Sequence, residues 1–482
     1  MEKGEEALKQ KAAKGFLWGG LNNGMVQVLG ALFGIILLRQ LTPDDYGKVA
    51  KLMVFANIAT TLQESGFTAA LCNLKEPTDR DYNAVFWFNT GMSAILYCIL
   101  FFCAPLIAQF YDDPFLTPLS RYLFLGFFIS SLGTVQRAYL FIHLMNKQTC
   151  LIAIVAVIVS NCVGISMAFC GLAYWGLATI HILFILVVAL LNWYFSPWRP
   201  SLHIDMRPAW EMFGFGSKLL LTNIVNRLSS NAFDFLLGKF YGDHVTGIYG
   251  TARKWNDMGS NTISGMLTGV AQPVLTRVRE EQERYRHVFR KMLRFVSFIS
   301  FPCLLGMGLI AREFLLVVAG PKWEESATLL SILSIYGAIF PLLTLYSQLA
   351  ISQGKSNINM WCTFSLSALI LTGLIVLYPK GLLAMVIYFV ILNALWLFVW
   401  QFFAWRLVRL TLWEALSDVL PFLVLSAISM AFAWWATQSI DNIYLLLLCK
   451  VLIAAPLYLG LVWVSGARII RESAGYLLKK NF

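Results

Sequence analysis

The chain has 482 residues, of which 58% are hydrophobic and only 13% charged, and its mean hydropathy is +0.68. A soluble domain carries about 25% charged residues, so roughly half the polar coat of a water-soluble fold is missing and a soluble enzyme is excluded. The net charge of +11, from 37 Lys+Arg against 26 Asp+Glu, then reports basic loops on one side of a membrane rather than a nucleic-acid surface.

Residues 1–15 form a charged, amphipathic arm. No small-residue cleavage site follows the first apolar run, so no removable signal peptide is expected. A membrane-spanning helix needs about 20 apolar residues. Runs of that kind recur at 16–38, 46–73, 84–108, 119–142, 149–170, 172–195, 209–238, 245–273, 289–318, 327–352, 357–378, 382–405, 413–436 and 443–466. They are twice as long as barrel strands and do not alternate. The expectation is an all-α integral membrane protein of about fourteen spans, with tight connections at 170–172 and 378–382. The longest connection, 274–288, leaves no room for an extramembrane catalytic domain.

Lys and Arg set the orientation. The arm, the even-numbered connections (including Arg277, Arg279, Arg284, Arg286, Arg290, Lys291 and Arg294) and the tail hold 23 of the 37, whereas the odd connections hold six (Arg39, Lys48, Lys51, Lys239, Lys322, Lys380). Both termini are therefore expected in the cytoplasm. A shift of 200 residues places Arg39 on Lys239, Asn23 on Asn223, Gly47 on Gly247 and Asn57 on Asp257. That faint parallel repeat suggests two six-helix lobes. The expected organisation is the arm (1–15), an N-lobe (16–195), a cytoplasmic linker (196–208), a C-lobe (209–406), two added spans (407–466) and a basic tail (467–482).

Charge inside a span is costly and marks a candidate functional site. Span 7 carries Asn223, Asn226, Arg227, Ser230, Asn231 and Asp234 within a sector of about 100°. Span 8 carries Arg253, Lys254, Asp257, Ser260 and Asn261. Span 1 offers Asn23 and Gln27, and span 2 Lys51, Asn57 and Glu64. Spans 9 to 14 have cores almost free of ionisable groups; Arg312, Glu313, Glu414 and Lys450 fall at predicted ends, where snorkelling accounts for them. Spans 1, 2, 7 and 8 are thus expected to line a central hydrated cavity. Arg253 and Asp257 lie one turn apart and either fix packing as an ion pair or face substrate. The surplus of cations (Arg227, Arg253, Lys254, Lys51) over Glu64, Asp234 and Asp257 suits an anionic substrate, and Arg grips phosphate through two oxygens at once. Trp255, beside Lys254, either stacks on a sugar or packs.

Nine cysteines without CxxC spacing, nearly all in apolar runs, read as small core residues. His143, His181, His203, His244 and His287 show no ligand spacing, so no metal site is expected. No nucleotide-binding loop or catalytic constellation appears, and no cofactor is expected.

Leu41-Thr42-Pro43-Asp44-Asp45-Tyr46-Gly47 resembles the LTPxDYG signature of the polysaccharide-transport family of the multidrug/oligosaccharidyl-lipid/polysaccharide flippase superfamily. Glu64-Ser65-Gly66-Phe67, Phe86-Trp87, Ala104–Tyr111 and Gln136-Arg137-Ala138 also fit. The resemblance is dense over the first 145 residues and general thereafter. It implies two six-helix lobes and alternating access. It also implies transfer of an undecaprenyl-diphosphate-linked oligosaccharide to the periplasmic leaflet of a bacterial inner membrane, for O-antigen, capsule or exopolysaccharide assembly. It casts Arg227, Arg253 and Lys254 as diphosphate or acidic-sugar contacts, with Lys51, Asn23, Gln27, Asn57, Asn223, Asn231 and Asn261 along the cavity. Glu64, Asp234 and Asp257 become either Na+ or H+ coupling sites or salt-bridge gates. The implied partners are the bilayer, the lipid-linked substrate and polysaccharide polymerase machinery, and the protein itself is expected as a monomer.

Two other readings compete. A cation-coupled drug exporter of the same superfamily should show a more acidic pocket, against the basic surplus here. A membrane polymerase or ligase should carry a large periplasmic loop, whereas the longest outer connection, 109–118, has about ten residues.

Overall fold

A computed structural model describes residues 24–64, 71, 74, 77–143, 145–202, 205–209, 224 and 227–465, with Glu64 described by its backbone alone. In chain order the helices are α1 (Gly24–Gln40), α2 (Pro43–Glu64), α3 (Asp79–Phe110), α4 (Leu116–Ile142), α5 (Asn146–Phe169), α6 (Ala173–Phe195) and α7 (Ala232–Phe240). They continue with α8 (Gly242–Arg277), α9 (Gln282–Val318), α10 (Glu324–Ser352), α11 (Ser356–Leu377), α12 (Leu382–Val408), α13 (Leu412–Ala436) and α14 (Ile443–Val464). Ten of these, α3–α6 and α9–α14, are long and apolar enough to cross a membrane, which makes the chain a multi-pass membrane protein. The four that fall short, α1, α2, α7 and α8, are the described parts of the spans expected to be polar.

Helix boundaries follow local chemistry. Thr42 with Asp45 and Thr78 with Asp81 form reciprocal capping boxes that start α2 and α3, and Thr411 with Glu414 does the same for α13; each satisfies two backbone amides left over at a helix start. The tight connections before α6 and α12 turn on Gly171 (φ 81°) and Gly381 (φ 99°), a left-handed conformation open to glycine. Expected span 7 is not one uninterrupted helix: α7 begins only after a turn at Asn231 (φ −100°, ψ 5°). Its earlier part, like 16–23 and 65–70, lies largely outside the described residues.

The chain divides into two compact units at Gly250/Thr251. In the first, α3 packs on α4, α4 on α6 and α5 along α6, around Leu52, Leu116, Leu119, Leu123 and Phe124. The segment after α6 crosses the start of α3: Arg80 pairs with Asp205, Trp87 donates to the Ser201 carbonyl at 2.8 Å, and the Ser201 amide donates to Asn83 at 2.9 Å. The Arg207 amide and Arg80 hold the Asp205 carboxyl below its ordinary range.

In the second unit α9 is the central post, packed by α10, α13 and α14 over a core that includes Tyr285, Phe289, Leu293 and Leu342. Two ionic clamps fasten the last two helices to it. Arg286, Arg290 and Arg294 of α9 engage Glu414 and Asp418 of α13, with Arg290 Nε 2.6 Å from the buried Asp418. At the other end of α9, Glu313 meets Lys450 of α14 at 2.7 Å, both below a tenth exposed. Glu313, Glu414 and Lys450 are therefore not snorkelling ends, as expected from sequence, but cross-helix partners. Arg312, by contrast, makes an exposed pair with Glu324.

Breaking a buried pair strands a charge and costs about 3–5 kcal/mol, whereas replacing both members with apolar residues is often neutral. Lys450→Met should lower the thermal stability of the detergent-purified protein sharply. The double variant Lys450→Met/Glu313→Leu should recover most of the loss. Equal melting temperatures for the wild type and the single variant would show that the pair holds nothing.

Candidate functional site

The polar residues of the first unit gather where α2 meets the start of α7 and the first turns of α8. Lys51 on α2 is 3% exposed. Its ammonium lies 2.5 Å from Asp243 and 5.1 Å from the centre of the Tyr111 ring. Lys51 is thus withdrawn into an ion pair instead of standing as an open cation. Six residues along α2, Asn57 donates to the side-chain oxygen of Asn231 at 3.1 Å. The Asn231 amide in turn donates to the Arg227 carbonyl at 2.7 Å, so it caps the backbone at the turn that opens α7. Two expected cavity amides therefore bond each other. Asp234 is half-buried on α7; its charge, after burial, helps push the Tyr111 phenol above its ordinary range. Arg227 is exposed and, among the described residues, is in no ion pair. Gln27 is half-buried on α1. Asn23 and Asn223 lie outside the described residues, as does the side chain of Glu64.

The second unit presents the rest of α8. Arg253 and Asp257 form the expected one-turn pair at 3.3 Å, with side chains 28% and 35% exposed, and Asn256 donates to Asp257 at 3.4 Å. The pair is half-open, so its charges remain within reach of a ligand. Lys254 and Asn261 are exposed; among the described residues Lys254 is in no ion pair. Trp255 is 7% exposed and packs edge-on against Phe314 at 4.9 Å. It is a packing residue, with no face left for a sugar.

The two clamps on α9 are the charged features that sequence reading missed. The signal lay in spacing: Arg286, Arg290 and Arg294 recur every four residues, and so do Glu414 and Asp418, which puts each set on one helical face. Reading the arginines as loop charges hid that match.

A family model described as polysaccharide biosynthesis protein matches residues 36–328. The teichuronic acid biosynthesis protein TuaB of Bacillus subtilis is 24% identical over 400 residues, 81% of this chain and 80% of that protein. The lipopolysaccharide biosynthesis protein WzxC of Escherichia coli is 25% identical over 377 residues, 76% of each chain. Among solved structures, the lipid II flippase MurJ in an inward closed conformation gives a TM-score of 0.78 at 13% identity, covering 94% of this chain and 100% of that one. An inward-facing MATE multidrug resistance transporter gives 0.59 at 15% identity, over 86% and 96%. At these identities the structural likenesses establish the fold.

The Asn57–Asn231 bond can be weighed directly. Side-chain hydrogen bonds between membrane helices average about 0.6 kcal/mol and reach about 1.7 kcal/mol. A double-mutant cycle on Asn57→Ala and Asn231→Ala, read by unfolding in mixed micelles, should give a coupling energy in that range. Strict additivity would mean that the two amides do not depend on each other.

Proposed function

Because the chain belongs to the polysaccharide biosynthesis protein family, we propose that it is a flippase of the bacterial inner membrane. It would carry polyprenyl-diphosphate-linked oligosaccharide units from the cytoplasmic to the periplasmic leaflet for surface polysaccharide assembly. The names of its relatives and its MurJ-like fold support this reading. The observation that carries it is the segregation of charge. Beside the ten apolar helices, Arg227, four residues before the turn at Asn231 that opens α7, and Lys254 on α8 are exposed with no ion pair among the described residues. An exposed guanidinium and ammonium on otherwise apolar spans suit a diphosphate, whose oxygens Arg takes in a fork and Lys as a point charge.

In this reading the protein has fourteen spans, both termini in the cytoplasm, and works as a monomer by alternating access. Undecaprenyl diphosphate is the lipid carrier. Arg227, Arg253 and Lys254 contact the diphosphate or acidic sugars, and Gln27 and Asn261 are further polar candidates for substrate contact. Asp257 holds Arg253 between turnovers. Glu64, Asp234 and Asp257 are the carboxylates available for Na+ or H+ coupling. Export of a cationic drug is disfavoured by the same surplus of cations, which would repel it. The protein is a transporter, not an enzyme.

Complementation of a bacterium lacking its own repeat-unit flippase tests the proposal. Wild type should restore surface polysaccharide. Arg227→Ala and Lys254→Ala should each lower it several-fold at equal membrane levels, Arg227→Lys should retain part of it, and the exposed Arg406→Ala should leave it unchanged. Full restoration by Arg227→Ala/Lys254→Ala would remove these two cations from the substrate path.

A further inference from the structure

In the second unit the polar stripe of α8 meets an aromatic residue of α10. A Cβ built on Gly337 would fall far inside 3.0 Å of the Asn256 side-chain oxygen, so α8 and α10 come close where Asn256 lies over Gly337. Asn256 is buried and donates to the Asp257 carboxylate at 3.4 Å. Asp257 follows Asn256, and Tyr336 precedes Gly337. Asp257 and its partner Arg253 are the two charged groups that act on the Tyr336 hydroxyl.

Tyr336 is half-buried. Phe389 of α12 lies 4.7 Å from its ring and Phe340 lies 5.7 Å away, both inclined to it. A tyrosine hydroxyl withdrawn from bulk water ordinarily finds a partner. Four other tyrosines of this unit follow that rule. Tyr285 meets the Ser352 hydroxyl at 2.6 Å, and Tyr346 donates to Gln401 at 2.7 Å. Tyr388 donates to the Leu369 carbonyl at 2.8 Å, and Tyr458 to the Phe298 carbonyl at 2.9 Å. The Tyr336 hydroxyl makes no hydrogen bond among the described residues. It stands instead beside the half-open Arg253–Asp257 pair.

The three groups define the chemistry of what fits there. A phenol both donates and accepts, a carboxylate accepts and a guanidinium donates. Their charges sum to zero. A ligand anionic throughout would be repelled by Asp257, whereas a ring bearing several hydroxyls can answer all three groups. We infer that Tyr336 and Asp257 form the subsite for the sugar ring joined directly to the diphosphate, with Tyr336 as its specificity-determining residue. This subsite presupposes the flippase reading and deepens it. When Arg253 turns to a phosphate, Asp257, one helical turn away, is left to accept from the adjoining sugar, and Tyr336 bonds a second hydroxyl. Neighbouring groups of the substrate are thus met by neighbouring side chains. Trp255 packs on Phe314; Tyr336 is the aromatic residue that reads the sugar. A site built around a substrate hydroxyl discriminates strongly, because a ligand without that group leaves the site's polar atoms unpaired.

Native mass spectrometry of the detergent-purified protein tests the subsite with undecaprenyl diphosphate and with the same lipid carrying a single glucose or a single N-acetylglucosamine. The measured quantity is the affinity for a sugar-bearing lipid relative to the bare one. For at least one of the two sugars, Tyr336→Leu should lower this ratio about tenfold, equivalent to about 1.4 kcal/mol. Tyr336→Phe should lower it several-fold, and both variants should bind the bare lipid within about twofold of wild type. Tyr336→Phe keeps the ring between Phe340 and Phe389, so its melting temperature should match wild type and its loss reports the hydroxyl alone. Ratios unchanged in both variants overturn the subsite and leave the flippase reading standing. Wild-type protein that binds none of the three lipids overturns the flippase reading, and the subsite with it.

Discussion

A bilayer removes the water that would otherwise solvate charge, so each ionised group in a span must be paired or must face an aqueous path. The rest of the structure depends on that constraint. It sorts the charges into two populations. One is sealed: Glu313 with Lys450, and Asp418 among Arg290 and Arg294. The other stays partly open, as at Arg227 ahead of α7 and at Lys254 and the Arg253–Asp257 pair on α8. The sealed population lies on α9, α13 and α14, where pairing lets helices apolar enough to cross a membrane carry charge.

The two populations do different mechanical work. A buried, several-fold pair resists separation because parting it strands charge in a low dielectric. α9, α13 and α14 therefore behave as one block, and an apolar chain lying against them would meet a fixed surface. A half-exposed pair loses little when it parts, because water or a ligand replaces the partner. Under the flippase reading, Arg253–Asp257 is the pair that can exchange its partner for a phosphate at little desolvation cost, because both side chains are already partly open. A ligand that binds the parted arrangement more tightly shifts the population by its differential affinity and by nothing else.

Span positions were legible in sequence because hydrocarbon demands about 20 apolar residues in a row, a signal that α3–α6 and α9–α14 carry with few interruptions. The polar stripes on α2 and α8 were legible for the converse reason. What stayed hidden depends on which faces meet. Lys51 read as a cavity cation because nothing local says that Asp243, 192 positions away, lies against it. Asn57 and Asn231 read as separate cavity amides, and they bond each other. Trp255 sits beside a lysine in sequence and against Phe314 in space. The interruption at Asn231 was invisible because asparagine within an apolar run reads as readily as a polar face as it does as a turn.

The family signature is then informative in an unexpected place. Within Leu41–Gly47, Thr42 and Asp45 are used to cap a helix, and Pro43 and Gly47 let two backbones touch. Sequence likeness to relatives named for different polymers would concentrate at such a contact, because a crossing that admits only glycine tolerates no drift, whereas a cavity must change with its cargo. By the same logic the exposed cations ahead of α7 and on α8 are where chains of this family should differ most. Under the flippase reading, specificity should be sought at Arg227, Arg253 and Lys254, whereas Gly47 and Gly247 answer a steric demand of the fold.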